Sequence, residues 1–171
     1  HRKSFPEIAS QVISGSDIII EVLDARFWQE TRNLELEKEI KKQGKKVIYV
    51  FNKSDMADHK KIVEEMGENV LYPYVFLSCV SRKGSSDLRE RIKIEAGKIQ
   101  KEKIYVGVIG YPNTGKSSVI NLIRGKAVAR VASESGFTKG AQKIKIGRNI
   151  LLIDTPGVIP STEDSKIKNI D

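Results

Sequence analysis

The chain has 171 residues, enough for one domain that buries about two thirds of its unfolded surface. Its composition, 39% apolar and 30% charged, is typical of a folded globular protein and excludes a fibrous or disordered chain. The apolar runs are too short to cross a bilayer and the start lacks a signal-peptide core, so we expect a cytoplasmic protein without membrane contact. One cysteine, Cys79, excludes an intramolecular disulfide and a cysteine-based zinc cluster.

The formal net charge is +8, which favours a polyanionic partner such as RNA. The same charge is equally compatible with an ordinary solvated surface rich in lysine and glutamate. If RNA is the partner, we expect it to contact basic segments such as 41–46, 89–103 and 139–148.

The predicted elements begin with a short N-terminal helix of about residues 4–15, which starts at Ser4. The strand "DIIIEVLDA" follows and is apolar almost throughout, as expected for a strand covered on both faces. The segment "TRNLELEKEIKKQGKK" predicts a helix that ends at Gly44. The apolar positions of this helix are Leu34, Leu36 and Ile40.

The rest of the chain continues the alternation with "KVIYVFN" as a strand, "HKKIVEEMG" as a helix and "YVFLSC" as a strand. The helix "SSDLRERIKIEAGKIQK" is opened by Ser85 or Ser86 and precedes the strand "KIYVGVIG" and the helix "SSVINLIRG". The runs "AQKIKIG" and "NILLIDTPG" predict a hairpin turned by residues 147–149. This order predicts a three-layer α/β fold, a mostly parallel sheet with helices on both faces, as a single domain over 1–171.

The segment "GYPNTGKS", residues 110–117, matches the phosphate-loop pattern and lies between a predicted strand and a predicted helix. Lys116 is expected to reach the β- and γ-phosphates, and the Ser117 hydroxyl to bind Mg²⁺. The alternative is a glycine-rich turn with an exposed lysine. The residues predicted to surround the phosphates are Asn113, Thr114, Gly115, Lys116, Ser117 and Ser118.

A second acidic motif, "LLIDTPG", ends the last predicted strand. Asp154 is expected to hold Mg²⁺ through water, and the Gly157 amide to contact the γ-phosphate. Alone, Asp-Thr-Pro-Gly is a common turn. Its place on a second strand after a phosphate loop favours the metal-proximal interpretation.

The segment "NKSD" is typical of a guanine-binding loop, although it precedes the phosphate loop. The Asp55 carboxylate can accept hydrogen bonds from N1 and the exocyclic amine of guanine, a donor pair that adenine lacks. Asn52 would fix the loop, and the Lys53 stem would lie along the base. In "FLSCVSRKG", the backbone amide near Cys79 or Val80 would meet the guanine carbonyl. Either segment alone could be a turn; together they specify GTP over ATP.

These residues resemble the circularly permuted YlqF/YawG family of ribosome-assembly GTPases, which are translation-factor-like P-loop GTPases. The resemblance is carried, in this order, by "DIIIEVLDAR", "NKSD", "SCVSRKG", "GYPNTGKS", "SGFTKG" and "DTPG". It implies a permuted P-loop GTPase domain that binds GTP or GDP and hydrolyses GTP with Mg²⁺. It also implies a role in the maturation of a ribosomal subunit, with contact to rRNA; we expect a monomer.

The resemblance assigns Ser78 and Cys79 to the second base motif, and Thr138 to the switch threonine that joins Mg²⁺ and the γ-phosphate. Catalytic roles fall on Lys116, Thr138 and Gly157, with Asp154 near the metal. Two departures from the family pattern are Cys79, where alanine is usual, and Ser135-Gly136, where Pro-Gly is usual. A backbone contact tolerates the first, whereas the second affects the switch.

The resemblance implies slow intrinsic turnover and activation by a partner, because Val158 cannot orient a water as the glutamine of many small GTPases does. Asn113 matches an asparagine through which related GTPases bind potassium, but it could equally shape the loop. The alternative function is a GTP-sensing RNA-binding module with little turnover. Because the sequence ends 14 residues after Gly157, we expect the family's C-terminal RNA-binding region to be absent.

Overall fold

The computed structural model describes residues 4–125 and 142–154, and six strands in these ranges form one sheet. The strands are β1 (Ile18–Asp24), β2 (Lys46–Asn52), β3 (Tyr74–Phe76), β4 (Ile104–Ile109), β5 (Gln142–Gly147) and β6 (Ile150–Asp154). Their order across the sheet is β3-β2-β1-β4-β6-β5, and β5 pairs antiparallel with β6 while the other neighbours are parallel. The predicted parallel sheet and terminal hairpin are thereby confirmed.

The described α-helices cover both faces of this sheet. They are α1 (Phe5–Gly15), α2 (Trp28–Thr31), α3 (Leu34–Lys42), α4 (His59–Met66), α5 (Ser85–Gly97) and α6 (Lys116–Arg124). Every residue of β1 is buried, and its side chains alternate between the two faces of the sheet. Ile18, Ile20 and Val22 pack with residues of α5 and α6, whereas Ile19 packs with α1 and α3. The predicted three-layer α/β architecture is confirmed.

Helix α1 begins as the sequence predicts, with Ser4 as its N-cap. The Ser4 hydroxyl accepts from the Glu7 amide at 3.4 Å, and the Glu7 carboxylate accepts from the Ser4 amide at 3.4 Å. These reciprocal bonds satisfy amides that the first helical turn leaves without intrahelical partners. The helix then packs on β4 at Gly107, where a Cβ would collide with Ser16 and Val12.

The strand predicted over "YVFLSC" is wrong in length, because β3 ends at Phe76. Ser78 leaves the sheet direction to form a bridge with Lys83, whose carbonyl accepts from the Ser78 amide at 2.9 Å. This bridge turns the chain back toward α5. Helix α5 then begins at Ser85, but its N-cap is Gly84 with φ 92 and no side-chain cap, so the predicted serine cap is wrong.

Three local predictions in the helices are corrected. Leu34 is 58% exposed because it begins α3 and faces away from the core, although Leu36 and Ile40 are buried as predicted. Helix α5 ends at Gly97 rather than running through the following "KIQK", and Ile99 reaches the core from the turn beyond it. The sequence pattern also missed α2, a single turn whose Trp28 is buried against Phe51. The predicted stop at Gly44 is confirmed by its φ of 70.

Across residues 4–125 and 142–154, no helix combines the length and apolar character needed to span a bilayer.

Candidate functional site

The predicted motifs that lie within the described residues meet at one edge of the sheet, beyond the carboxyl ends of its parallel strands. Strand β1 is followed in the chain by β2 on one side, and β4 by β5 and β6 on the other, so the connections diverge between β1 and β4. Ligands of open α/β sheets bind where such connections diverge. Loops that follow β1, β2, β3 and β4 surround this point.

Asn52, the last residue of β2, joins the guanine-type loop to the phosphate loop. Its side-chain nitrogen donates to the Thr114 carbonyl at 2.9 Å, and Asn52 is only 2% exposed. The two residues are 62 positions apart. A buried amide that lost this partner would keep its desolvation cost, so the bond fixes the relative position of the two loops.

Lys53 makes a second link between the same loops. It adopts φ 61, a left-handed conformation that costs energy in a residue with a Cβ, and its ammonium donates to the Asn113 carbonyl at 2.7 Å. The Lys53 stem therefore runs from the end of β2 toward the phosphate loop. Asn113 itself has φ 75, which shows that it shapes that loop; its predicted potassium contact stays a prediction.

Asp55 is oriented by the loop that follows β3. The Ser78 hydroxyl donates to one Asp55 carboxylate oxygen at 2.9 Å and accepts from the Ser81 amide at 3.2 Å. Ser78 is 1% exposed, so its hydroxyl has little freedom to turn elsewhere. The structure thus brings together two segments that the sequence analysis assigned to one base, and it leaves the other Asp55 oxygen without a hydrogen bond from the described residues.

Cys79 and Val80 lie directly after this serine. The Cys79 thiol is 3.6 Å from the Asn52 side-chain oxygen, and burial raises its pKa, so it is a neutral thiol at neutral pH. The Val80 side chain is 88% exposed. Neither side chain offers a strong hydrogen-bonding group. The predicted contact to guanine therefore falls to the backbone amides of these two residues.

The phosphate loop has the backbone that its pattern requires. Gly115 has φ 87, and a Cβ there would collide with the Asn52 side-chain nitrogen. The Thr114 hydroxyl donates to the Tyr111 carbonyl at 2.8 Å, which closes the loop. Helix α6 starts at Lys116, directly after this loop, so the positive end of the helix dipole points to the loop. Lys116 itself is only 7% exposed.

The predicted magnesium ligands are only partly within the described residues. Ser117 is in the first turn of α6, and Asp154 ends β6, the strand that pairs in parallel with β4. A hydroxyl and a carboxylate are hard oxygen donors of the kind Mg²⁺ prefers, so this pair of residue types fits the ion. Thr138 and Gly157 lie outside the described residues.

A cavity of about 780 Å³ opens beside Asp55, along the free edge of β3. It lies between that edge and α5, and His59 stacks on Phe76 in its wall with ring centroids 4.1 Å apart. None of the phosphate-loop residues lines it. The cavity is therefore separate from the phosphate side of the site, and Asp55 and Ser78 form its nearest end.

Asp24, the last residue of β1, is a site residue to which the sequence analysis assigned no role. One of its carboxylate oxygens lies 3.3 Å from the Lys53 ammonium, and the side chain is only 6% exposed. Like Asn52, Asp24 is a polar residue at the carboxyl end of a buried strand, and that position is the signal that could have found it. The order of these motifs along the chain defines the protein class, a P-loop domain in which the guanine-type loop precedes the phosphate loop.

Comparisons with known proteins agree with this class. Residues 105–171 match the family described as MMR_HSR1, 50S ribosome-binding GTPase. The chain is 44% identical over 164 residues to the uncharacterized GTP-binding protein MJ1464 of Methanocaldococcus jannaschii, covering 94% of this chain and 43% of that protein. It is 37% identical over 166 residues to nucleolar GTP-binding protein 2 of Saccharomyces cerevisiae, covering 91% of this chain and 34% of that protein.

Among solved structures, GNP-bound YlqF from T. maritima has the same fold, with a TM-score of 0.61 at 22% identity over 88% of this chain and 56% of that chain. The chain spans less than half the length of the sequence relatives named above. With the permuted order of motifs and the shared fold, these matches place it in a particular group. The chain belongs to the family of circularly permuted GTPases that includes YlqF.

Proposed function

We propose that this chain is the GTP-binding part of a molecular switch that hydrolyses GTP with Mg²⁺ during the assembly of a ribosomal subunit. The observation that carries the proposal is the pair of bonds by which Asn52 and Lys53 join the guanine-type loop to the phosphate loop. Two loops held at a fixed separation can bind the base and the phosphates of one nucleotide together. We further propose that residues 1–171 form one such domain.

In this proposal, guanine is selected by the Asp55 carboxylate, which Ser78 orients. The carboxylate would accept the N1 hydrogen and the exocyclic amine, and backbone amides at Cys79 or Val80 would donate to the guanine carbonyl. An adenine base would place its N1 acceptor against this carboxylate, which is unfavourable. The site would therefore discriminate against ATP.

The phosphates would lie at the start of α6, where backbone amides and the Lys116 ammonium can donate to their oxygens. Bound Mg²⁺, held by Ser117 and through water by Asp154, would neutralise charge on the β- and γ-phosphates. Thr138 and Gly157 are proposed to contact the γ-phosphate side. Potassium at Asn113 would add positive charge there. The domain would then change state when the γ-phosphate is lost.

The proposed partner is a ribosomal subunit with its rRNA. The family match is described as a ribosome-binding GTPase, one of the relatives named above is a nucleolar GTP-binding protein, and the +8 charge suits a polyanion. A ribosomal partner would also supply the activation that Val158 implies, since valine cannot orient the attacking water.

The test is a multiple-turnover GTP hydrolysis assay in potassium and in sodium buffers, with and without purified ribosomal subunits. We expect slow hydrolysis that one subunit stimulates by about 10-fold or more, and no hydrolysis by the Lys116→Ala variant. Binding of GTP without any stimulated turnover would instead favour the alternative, a GTP-sensing RNA-binding module. No binding of GTP would refute both.

A further inference from the structure

The Asp24 carboxylate lies where β1 and β2 end side by side. Asp24 and Asn52 are paired in the register of these two parallel strands, so Asp24 stands next to the first residue of the predicted guanine motif. Asp24 is 4% exposed. A buried carboxylate needs cations or donors around it, since otherwise its desolvation would be costly.

Two cations meet that need. The Arg26 guanidinium donates to both carboxylate oxygens, at 3.1 and 2.9 Å, and the Lys53 ammonium lies 3.3 Å from one of them. Burial by itself would raise the pKa of Asp24, but the hydrogen bonds from Arg26 and the charge of Lys53 outweigh it and hold the pKa below its ordinary value. Asp24 is therefore an ionised carboxylate at neutral pH.

The Lys53 ammonium is thus shared between two acceptors. On one side it reaches Asp24, and on the other it donates to the Asn113 carbonyl at 2.7 Å. A lysine side chain has several rotatable bonds, and ordering it costs conformational entropy. A neutral carbonyl alone holds an ammonium less strongly than a carbonyl and a carboxylate together. Asp24 is the charged member of this pair.

We infer that Asp24 is a positioning residue for the guanine nucleotide: it acts through Lys53, whose ammonium it holds between the end of β1 and the phosphate loop. The Lys53 stem is thereby kept along the plane where the base would lie, before any nucleotide binds. This inference rests on the proposed guanine-nucleotide binding, but on neither the hydrolysis nor the ribosomal partner. Loss of Asp24 should weaken nucleotide binding because the nucleotide would then have to order Lys53 itself.

The opposite end of β1 supplies a matched control. Asp17 precedes the strand, accepts from the Lys101 ammonium at 2.7 Å, and also accepts from the Tyr105 amide at 2.8 Å. Like Asp24, it is an aspartate that holds a lysine and a backbone amide. It lies at the amino ends of the strands, away from the predicted site residues that the structure describes.

The experiment measures the affinity and dissociation rate of fluorescent N-methylanthraniloyl-GDP for the wild-type chain and for Asp24→Asn, Lys53→Met and the double variant, with the melting temperature of each. We expect Asp24→Asn to weaken binding by about 10-fold through faster dissociation. In the Lys53→Met background the same change should cost less than about 2-fold, because the residue through which Asp24 acts is gone. Asp17→Asn should leave the affinity within about 2-fold of wild type.

Two results would overturn the inference while leaving guanine-nucleotide binding intact. One is an Asp24→Asn variant that binds as wild type does. The other is a loss that persists in the Lys53→Met background or that Arg26→Gln reproduces, since either would mean that Asp24 acts by general stability or through Arg26.

If Asp24→Asn does not fold, Asp24→Glu keeps the charge and tests the same point. We expect its affinity to fall below that of wild type, because the longer side chain moves the carboxylate from the position that holds the Lys53 ammonium, and we expect no such fall in the Lys53→Met background. An Asp24→Glu variant that binds as tightly as wild type would overturn the inference. A wild-type chain that binds no GDP would refute the proposed function and this inference together.

Discussion

The two ends of strand β1 carry comparable ion pairs with different surroundings. At the amino end, the Asp17–Lys101 contact is 2.7 Å long, but the Lys101 side chain is 51% exposed. At the carboxyl end, the Asp24–Lys53 contact is longer, at 3.3 Å, while the Lys53 side chain is 28% exposed and also reaches the phosphate loop. Water screens the shorter pair, whereas the longer pair belongs to a network of buried polar groups.

The comparison shows that burial and connection, more than distance, mark the functional edge of the sheet. Polar residues of several loops are buried there, including Asn52, Ser78 and Thr114. Burying polar groups is unfavourable unless each one is hydrogen-bonded. Their concentration at this edge therefore indicates a functional site, because it does not maximise stability. Substitutions on both sides of this contrast can test it.

The largest effect is expected at Gly115. Its φ of 87 disfavours any side chain, and a Cβ would displace the Asn52 side chain from the Thr114 carbonyl. We expect Gly115→Ala to weaken GDP binding by at least about 100-fold, measured by fluorescence titration. Gly97→Ala is the control, since a Cβ there meets nothing within 4 Å. Equal binding by both variants would show that the link between the loops is dispensable.

Asp55→Asn should change which base is bound. An amide in place of the carboxylate loses one acceptor to guanine and gains a donor that xanthine can accept. We expect about 30-fold weaker GDP binding together with tighter XDP binding, in competition assays at constant salt. If GDP affinity does not change, Asp55 is not the residue that recognises the base.

Glu21 is a buried carboxyl group that lies outside the functional edge of the sheet. We expect it to affect the stability of the fold and not nucleotide binding. Burial and the neighbouring Glu37 raise its pKa from 4.5 to about 8, and one of its oxygens has no hydrogen-bond partner among the described residues. The folded protein thus keeps a proton there between about pH 4.5 and 8 that the unfolded chain loses, so stability should fall as pH rises through this range.

Glu21→Gln should remove most of this pH dependence. At pH 9 we expect the variant to be more stable than wild type by about 3 kcal/mol, with no advantage at pH 4.5, in urea unfolding monitored by circular dichroism. Nucleotide binding should stay unchanged at pH 7. A wild-type stability that is level from pH 5 to 9 would contradict the raised pKa.

Asp17→Asn should have the smallest effect. Its exposed pair with Lys101 contributes about 0.2–1 kcal/mol, so the loss should appear as a small shift of the urea midpoint that disappears in high salt. A destabilisation of several kcal/mol would mean that the two ends of β1 do not differ as described.

Much of the fold could be predicted because each buried strand is a short apolar run with turn residues on both sides. Within the described residues, the guanine-type loop, the loop after β3 and the phosphate loop lie together. The errors at the end of β3 and the start of α5 come from tertiary contacts, which local sequence patterns do not reveal. β3 ends early because Ser78 bridges to Lys83, and α5 starts after a glycine that must approach the Phe76 carbonyl closely.

Two features, one in the site and one outside it, could not be predicted from the sequence for a related reason. The partners of Lys53 are Asp24 and Asn113, and Asn113 lies 60 positions away, so no local spacing reveals that the lysine is shared. Glu21 lies inside an apolar run, and the sequence alone does not show that its side chain is buried. An acidic residue in or directly after a buried strand is the signal that could have found both.

Base selectivity of the wild-type chain is the most direct test of a guanine-nucleotide site at this edge of the sheet. GDP and ADP would compete with N-methylanthraniloyl-GDP at constant magnesium and salt, over a concentration range of about 10³-fold. If the loops after β2, β3 and β4 form one guanine-nucleotide site, GDP should displace the fluorescent ligand and ADP should fail to do so even at about 10³-fold higher concentration. Equal displacement by the two nucleotides would contradict the account.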